Sequence, residues 1–419
     1  MQNADFSPVR IAVIGGGAAG LMAAGTATAH GALVTVFEHT GRLGKKLAIT
    51  GKGRCNLTNN CEVNEFLESV RRNPRFLYAA LNAFTPADTI SFFENLGVNL
   101  KTERGKRVFP TSDKAIDIVN ALRKYASSAE IVFSKVKCIS KNDDKFCVKA
   151  DKDYIFDKVI VATGGKSYPL TGSDGSGYKL AERLGHTVTA LTPSLVPLES
   201  KSSLCPKLQG LSLKNVAINI VEGSGKSVYK DFGEMMFTHF GVTGPMILSA
   251  SAHLRNLTVP KLTLIVDLKP ALDEKTLDAR LLTEFSAAIN KDFINVLGKL
   301  LPSKFIEPFA DLVCIDPRKK INSLTKEERA RIVNTLKCIK IPLSDFRPIE
   351  EAIITSGGID VKELTPKTME SRLVSGLYFA GEIIDVDAYT GGFNLQIAFS
   401  TAYLAGKSAA ENNSRTYNG

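Results

Sequence analysis

Three glycines near the start of the chain have the spacing that lets a backbone lie against a pyrophosphate. Gly15, Gly17 and Gly20 follow the apolar residues 9–14 and open an alanine-rich stretch. In this G-x-G-x-x-G pattern the first glycine permits a tight turn, the second admits the phosphates, and the third lets a helix pack closely on a sheet. The helix N-terminus offers free N–H groups and a positive dipole end. We therefore predict a dinucleotide-binding site here.

The residues on either side of the glycines predict a βαβ unit. Residues 9–14 and 33–37 are mostly apolar and rich in β-branched side chains, as buried parallel strands are. Glu38 follows the second strand and lies 18 residues after Gly20. An acid about 20 residues after the glycines typically accepts hydrogen bonds from a ribose. The apolar run 11–25 is too short and too rich in glycine to be a membrane span. These flanks favour nucleotide binding.

A basic loop follows Glu38. Arg42, Lys45, Lys46, Lys52 and Arg54 occur with no acidic residue between them, in a chain whose formal net charge is +10. The loop is either a solvated surface or a contact to phosphate or to an anionic substrate, and its position favours the contact. The charge also permits a nucleic-acid partner, but no recognised nucleic-acid motif accompanies it.

Two later strands also end in glycine. The apolar residues 154–161 lead into Thr163 and Gly164, and residues 377–380 lead into Gly381 and Glu382. Each ending permits another close approach of backbone to a ligand. A small-residue helix, expected over residues 395–407, would begin near Gly392 with its positive end toward the ligand. Three such approaches suit the extended FAD molecule better than NAD.

Other elements follow from periodicity and capping residues. We predict helices over residues 74–97, interrupted at Pro86, and a helix that ends at Tyr125 with Thr111, Ser112 or Asp113 as its N-cap. Residues 131–139, 145–150 and 154–161 are predicted to form a meander of three strands.

The middle of the chain has a different character. Residues 217–221 and 262–268 alternate as antiparallel strands do, which indicates a β-barrel or small sheet. Residues 273–336 have a helical period, and Thr325 with Glu328 forms a capping box. We therefore predict an FAD-binding domain over 1–192 and 351–419, a β-barrel-like domain over 193–270 and 337–350, and a helical insert over 271–336.

The cysteines and histidines indicate the compartment. The seven cysteines are scattered and form no C-x-x-C pair, and the five histidines show no zinc spacing. The chain is therefore predicted to be cytoplasmic, with no metal and no dithiol redox centre.

Six motifs together are highly specific. They are IAVIGGGAAG at 11–20, ITGKGRCNLTN at 49–59, GKRVFPTSDKA at 105–115, VIVATGGKSYPLTGSDGSGY at 159–178, FTHFGVTGP at 237–245, and GE followed by GGFNLQIAFSTAYLAG within 381–406. On these motifs the sequence resembles the BaiN-like (YhiN-type) family of NAD(P)/FAD-dependent oxidoreductases. The resemblance implies an α/β fold: a glutathione-reductase-like, Rossmann-type FAD domain built from both chain ends, with an inserted β-barrel and helical subdomain.

The resemblance and the glycine pattern together assign the cofactor-binding residues. Gly15, Gly17, Gly20 and Glu38 take the pyrophosphate and ribose roles, and Glu382 is expected to bond the ribityl chain. Val136 is placed on a strand that reaches the adenine through its backbone, although packing in the core explains a valine nearly as well. The full predicted set is Gly15, Gly17, Ala18, Ala19, Gly20, Glu38, Arg42, Gly44, Lys45, Asn56, Val136, Thr163, Gly164, Gly381, Glu382, Gly392, Phe393, Asn394 and Leu395.

The sequence indicates the reaction less clearly than it indicates the cofactor. The chain contains no second βαβ fingerprint, so either NAD(P)H visits the flavin transiently as a co-substrate, or an organic substrate reduces the flavin and oxygen reoxidises it. His239, Tyr168 and Tyr389 are candidate proton donors, each of which could equally be a turn or packing residue.

We predict an FAD-dependent oxidoreductase that transfers hydride through flavin N5 and reduces a small enone or carbonyl compound with NAD(P)H. An oxygen-dependent amine or hydroxyl oxidase is the alternative enzyme. A flavin-bearing RNA-binding or scaffold protein is the alternative of another class. We expect a small-molecule substrate, no stable nucleic-acid partner and no membrane contact, and the sequence does not indicate an oligomeric state.

Overall fold

The computed structural model describes residues 7–254 and 257–411, which form two compact units. The first unit joins the chain up to Ser194 with the chain from Ile349 onward, and the second runs Leu195–Pro348. The further separation of the insert into a β-barrel-like domain and a helical part remains a prediction. Within the described residues, no helix is long and apolar enough to cross a membrane.

Both units contain strands and helices, which are numbered in chain order. The strands are β1 (Arg10–Ile14), β2 (Leu33–Phe37), β3 (Thr58–Asn59), β4 (Leu100–Glu103), β5 (Arg107–Pro110), β6 (Glu130–Val132), β7 (Cys138–Asn142), β8 (Lys145–Lys149), β9 (Asp153–Phe156), β10 (Lys158–Val161), β11 (Thr192–Ser194), β12 (Leu198–Glu199), β13 (Ser212–Glu222), β14 (Ser227–Phe237), β15 (Gly241–Thr243), β16 (Leu262–Asp267), β17 (Ile339–Pro342), β18 (Asp345–Phe346), β19 (Ile354–Ser356) and β20 (Leu377–Phe379). The helices are α1 (Ala18–Ala29), α2 (Val63–Glu68), α3 (Tyr78–Ala83), α4 (Pro86–Asn95), α5 (Ala115–Tyr125), α6 (Ser176–Arg183), α7 (Leu204–Lys207), α8 (Pro245–Leu254), α9 (Glu274–Ser286), α10 (Phe293–Leu297), α11 (Ser303–Val313), α12 (Lys326–Lys337) and α13 (Phe393–Glu411).

A five-stranded parallel sheet forms the centre of the first unit. Its order is β20-β10-β1-β2-β6, so strands from both ends of the chain are neighbours. Ile14 pairs with Phe37 on one side and Val161 on the other, and Val161 pairs with Phe379. The strands β20, β10, β1 and β2 therefore stop at one edge of the sheet. The predicted α/β Rossmann-type fold, built from both chain ends, is confirmed.

Helices α1 and α13 pack closely against each other in the same unit. A Cβ on Gly406 of α13 would lie 2.5 Å from the carbonyl oxygen of Ala23 on α1. Nearly all of α1 is buried, which explains why its sequence is apolar on every side. Helix α13 begins two residues before the predicted start and ends four residues after the predicted end.

Two predicted strands are each divided between two sheets. In residues 131–139, β6 joins the parallel sheet, whereas β7 begins the antiparallel sheet β7-β8-β9. In residues 154–161, β9 completes that antiparallel sheet and β10 enters the parallel one. Asp157 separates β9 from β10: its carboxylate accepts a hydrogen bond from the Arg10 N–H at 2.8 Å, and its own N–H donates to the Arg10 carbonyl at 2.9 Å. Hydrophobic patterning could not show these breaks, because both halves of each run are apolar.

The capping predictions have mixed outcomes. The capping box of Thr325 and Glu328 on α12 is confirmed, and Pro86 occupies the first position of α4. The helix ending at Tyr125 is confirmed as α5, but its predicted N-cap is wrong, because Lys114 is the N-cap and makes no capping bond through its side chain. Asp113 instead accepts hydrogen bonds from Arg54 and Lys101. The hydrogen bonds from Lys101 and Arg54 lower the pKa of Asp113, and the carboxylate belongs to an ion-pair cluster instead of capping the helix.

The second unit contains a seven-stranded sheet of order β17-β16-β13-β14-β15-β12-β18. Every neighbouring pair in it is antiparallel. No ladder joins the outer strands β17 and β18 among the described residues, so the sheet is open there; the sequence indicates a β-barrel or a small sheet. Helices α9 to α12 share one apolar core with the sheet.

His186 links the end of α6 to the turn that precedes β20. Its Nδ1 lies 3.1 Å from a carboxylate oxygen of Glu363, and its Nε2 lies 2.9 Å from the hydroxyl of Ser371. Ser371 Oγ also accepts hydrogen bonds from the N–H groups of Leu373 and Val374. Burial lowers the pKa of His186, although the Glu363 carboxylate opposes this effect.

This lowered pKa predicts a pH-dependent stability. Below the ordinary histidine pKa of about 6.5 the unfolded chain binds a proton more readily than the folded chain does, so the free energy of unfolding falls. The fall ends once the pH lies below the pKa of folded His186. We expect His186→Gln to reduce the slope of the free energy of unfolding against pH, between pH 5 and 7, by up to about 1.4 kcal/mol per pH unit. Urea unfolding at a series of pH values measures this slope. Equal slopes in wild type and variant would contradict this assignment.

Candidate functional site

The sheet places three glycine-bearing strand ends side by side. Gly15 follows β1, Gly164 lies three residues beyond β10, and Gly381 lies two residues beyond β20. All three have positive φ, of 109°, 75° and 78°. A Cβ on Gly15 would lie 2.5 Å from the carbonyl oxygen of Ala162, so backbone approaches backbone here. A ligand at this edge of the sheet could therefore contact three distant parts of the chain.

The fingerprint glycines differ in what surrounds them. A Cβ on Gly20 would lie 1.7 Å from the Gly15 carbonyl oxygen, so the start of α1 cannot hold a larger residue there. Around Gly17, by contrast, no described heavy atom outside its own local chain lies within 4 Å of the position of a Cβ. Gly17 leaves space beside the free N–H groups of the first turn of α1, which suits a pyrophosphate.

Glu38 lies at the end of β2 and is 8% exposed. Its two carboxylate oxygens accept hydrogen bonds from the N–H groups of Gly16 and Thr40, at 2.9 and 2.7 Å. Each oxygen retains a second lone pair that can accept a hydrogen bond from a ribose hydroxyl. The N–H of Gly44 donates to the Gly16 carbonyl at 2.8 Å, which ties the basic loop to the glycine turn.

The basic loop contributes one half-buried lysine that the predicted set omitted. Lys46 Nζ donates to Glu382 and to Ser167, each at 2.7 Å. The other carboxylate oxygen of Glu382 accepts hydrogen bonds from the Ser167 hydroxyl at 3.0 Å and from the Thr355 N–H at 2.9 Å. Arg42 and Lys45, which were predicted to line the ligand, are both exposed. The sequence identified the cluster but not which lysine pairs with the acid 336 residues away.

The start of α13 is held by Asn56. When its amide oxygen faces Gly392, it accepts a hydrogen bond from that N–H at 3.0 Å, and its amide nitrogen donates to Val108 and Thr58. A Cβ on Gly392 would lie 2.3 Å from the carbonyl oxygen of Thr58, so the turn fits closely on β3. The structure thus brings the predicted residues Asn56 and Gly392 together.

The next predicted residues contribute mainly through their backbone. The ring of Phe393 packs on Phe66, with ring centroids 5.0 Å apart. The Asn394 side chain bonds both the N–H and the carbonyl of Ala388. Their side chains are thus engaged within the protein, whereas the N–H groups in the first turn of α13 can face a ligand. Leu395 is half-buried in the same turn.

Two buried hydroxyls beyond β10 indicate that the site accepts a polar ligand. The hydroxyl oxygens of Thr163 and Ser173 are buried and have no hydrogen-bond partner among the described residues. Ser173 Oγ lies beside the residue that follows Thr163, because a Cβ on Gly164 would be 3.0 Å from it. Most buried polar groups in proteins are paired. Polar atoms of a dinucleotide along these strand ends would satisfy them, so the residues fit the predicted cofactor.

The remaining predicted residues are distributed as follows. The placement of Val136 on a strand is wrong, because it lies buried in the link between β6 and β7. Tyr168 is 36% exposed, and Tyr389 is half-buried with the Arg71 guanidinium 5.2 Å from its ring centroid. His239 belongs to the second unit, where its ring contacts Phe240. Complete burial raises the pKa of Cys55 to about 12, which argues against a nucleophilic thiolate.

The comparisons with known proteins identify the cofactor class. A family model described as the HI0933-like protein Rossmann domain matches residues 9–408. The chain belongs to this family. The resemblance inferred from the six motifs is thereby confirmed, and the chain is an FAD-dependent oxidoreductase.

The relatives of this HI0933-like chain cover it almost completely. It is 32% identical to the 3-dehydro-bile acid delta(4,6)-reductase of Clostridium scindens, over 96% of this chain and 99% of that protein. It is 30% identical to the ribosomal RNA dihydrouridine synthase of Escherichia coli, over 93% of this chain and 95% of that one. The solved 3-ketosteroid delta1-dehydrogenase of Sterolibacterium denitrificans has a TM-score of 0.50 at 13% identity, covering 96% of this chain and 99% of that chain. This last likeness shows the shared fold.

The two fingerprint glycines provide a matched pair of substitutions. Gly17→Ala has space for its methyl group, so we expect flavin-free protein to lose at most about 1 kcal/mol, the cost of alanine at an N-cap. FAD affinity should fall strongly because the methyl group occupies the side from which phosphates approach. Gly20→Ala should destabilise even the flavin-free protein, because its methyl group meets the Gly15 carbonyl. Thermal melting with and without FAD measures both, and equal melting of the two flavin-free variants would contradict the geometry.

Lys46 and Lys45 form a second matched pair. Lys46→Met removes the cation beside the largely buried Glu382 carboxylate. We therefore expect a loss of about 1–3 kcal/mol of stability in flavin-free protein, between the values for exposed and buried ion pairs. Lys45→Met should leave that stability unchanged, because Lys45 is exposed. Urea unfolding measures the first effect, and FAD titration shows whether Lys45 acts on the ligand alone. Similar destabilisation by both substitutions would be inconsistent with the assigned pairing.

Proposed function

We propose that the chain reduces a carbon–carbon double bond conjugated to a carbonyl group, with NAD(P)H as the source of electrons. The observation that carries the flavin part of this proposal is the meeting of Gly15, Gly164 and Gly381 at one sheet edge, which would give an extended flavin dinucleotide three backbone contacts. No second fingerprint of the same kind occurs in the sequence. We therefore infer that the nicotinamide reductant visits the flavin transiently and then leaves.

The names of the two relatives support this chemistry. A 3-dehydro steroid with unsaturation at positions 4 and 6 has double bonds conjugated to its 3-carbonyl. Dihydrouridine is uridine in which the C5=C6 bond, conjugated to the C4 carbonyl, has been saturated. A double bond conjugated to a carbonyl can accept a hydride at its electrophilic carbon, which is β to the carbonyl in an enone and δ in the outer bond of a dienone, while another carbon of the conjugated system takes the proton. We infer that a substrate of this chain shares that electronic arrangement.

The protein's own groups would favour such a transfer. Bound FAD would supply the hydride from N5 of its reduced ring. The N-terminus of α13, held by Asn56, directs its N–H groups and positive dipole end toward the predicted ring position, which favours negative charge there. Tyr168, Tyr389 and His239 remain the predicted candidates for delivering the proton.

Uridine in RNA is a second candidate substrate, and the positive net charge of the chain favours it. The chain has a net charge of +10, and Arg42, Lys45 and Lys52 of the basic loop are exposed. Such a surface attracts a phosphate backbone with an affinity that falls steeply with salt. A steroid-like enone offers no comparable charge, so salt dependence separates the two candidates.

Anaerobic mixing tests the proposed reaction. We expect NADH or NADPH to bleach the visible flavin absorbance. A conjugated enone, either a 3-oxo-Δ4 steroid or a uridine-containing RNA, should then restore it without oxygen. Saturated product, identified by mass spectrometry, should appear in equal amount to the flavin reoxidised. A saturated ketone of the same skeleton serves as the control and should leave the flavin reduced.

Other outcomes would favour the alternatives. Bleaching by an amine or alcohol but not by NAD(P)H would replace the proposal with an oxygen-dependent oxidase. Salt-sensitive RNA binding without flavin turnover would instead indicate an RNA-binding or scaffold protein.

A further inference from the structure

Tyr178 is a buried phenol that the functional assignments do not use. It is 4% exposed and lies in the first turn of α6, at the carboxyl edge of the parallel sheet. Its hydroxyl oxygen has no hydrogen-bond partner in the part of the chain that the structure describes. A phenol with nowhere to donate costs the folded protein free energy, so this position calls for a partner from outside the chain.

Close packing places the first turn of α6, which carries Tyr178, beside the ends of two sheet strands. A Cβ on the preceding Gly177 would lie 1.9 Å from Thr163 Oγ1, beyond β10, and 3.0 Å from a methyl carbon of Ile383, beyond β20. Burial raises the pKa of Tyr178, and the charges of Glu382 and Asp385 raise it further. The phenol therefore stays protonated and acts as a hydrogen-bond donor near two acids.

Asp385 supplies an acceptor in the same region. It is 3% exposed, and one of its carboxylate oxygens pairs with Arg72. The other, Oδ1, is buried and has no hydrogen-bond partner among the described residues. Tyr178 and Asp385 thus offer an unused donor and an unused acceptor beside Glu382, the residue predicted to bond the ribityl chain.

We propose that Tyr178 and Asp385 form a polyol subsite that binds hydroxyl groups of the ribityl chain of FAD. A ribityl hydroxyl both donates and accepts, so it can satisfy the phenol and the carboxylate together, whereas an ionised phosphate only accepts and cannot satisfy both. Tyr178 is a positioning residue in this arrangement: it fixes the linker that sets the depth of the flavin ring. The inference rests on FAD binding but not on the identity of the reduced substrate.

Tyr178→Phe tests the subsite, because it removes only the hydroxyl. We expect FAD affinity to fall about three- to tenfold, the effect of one hydrogen bond. Affinity for ADP, which lacks the ribityl chain and the ring, should be unchanged. Flavin-free Tyr178→Phe protein should melt at or above the wild-type temperature, since an unpaired buried hydroxyl has been removed. The temperature rise produced by FAD should be smaller than in wild type.

Tyr125→Phe is the matched control. The hydroxyl of Tyr125 lies 3.3 Å from that of Thr26, so its loss should affect the stability of flavin-free and FAD-bound protein equally. Unchanged FAD affinity in Tyr178→Phe would overturn the proposal, because the phenol would then serve the fold alone. Equal weakening of FAD and ADP would also overturn it, by placing the hydroxyl near the adenosine diphosphate. Ligand affinity and thermal stability are both measured without turnover. A failed enone assay would therefore not affect this test.

Discussion

The pairing of β10 between β1 and β20 is the constraint on which the rest of the first unit depends. These three strands come from residues 10–14, 158–161 and 377–379, yet they are adjacent and parallel. Parallel strands in register must end at one edge, and each of these continues into a glycine with positive φ. The residues that bond Glu382, namely Lys46, Ser167 and Thr355, reach it because this edge gathers the loops that carry them. The position of the site therefore depends first on the order of the strands and only then on individual side chains.

Glycine spacing made the central features predictable from the sequence. The βαβ unit, the later strand ends and the helix after Gly392 all depend on local patterns. In each of them a few neighbouring residues determine the hydrophobic period and allow the backbone turn. The interruption at Pro86 and the capping box of Thr325 and Glu328 are equally local. Features of this kind need no knowledge of distant contacts, which is why the fold class and the cofactor class could be inferred before the structure.

The features that the sequence did not reveal depend on distant partners. Asp113 is a residue type that favours N-caps and lies just before α5, but Arg54 and Lys101 bond its carboxylate and Lys114 takes the N-cap position. The sequence does not distinguish Lys46 from Lys45, and only the fold shows which of them reaches Glu382. Val136 looked like part of a strand because residues 131–139 are mostly apolar, although the chain changes sheets there. Tyr178 gave no signal at all, since a buried phenol without a partner is visible only once its surroundings are known.

The position of β20 in the chain also affects synthesis. After β10 leaves the ribosome, the segment from Val161 to Leu377 must be translated before its neighbour exists, which takes roughly 10–40 s at about 5–20 residues per second. Throughout that interval the nascent sheet has an unpaired, apolar edge at β10, the kind of edge that recruits foreign strands. The finished dinucleotide cradle cannot assemble until the last helix is made, so FAD loading is a late event. A chaperone that shields this edge would therefore act on the N-terminal half of the nascent chain.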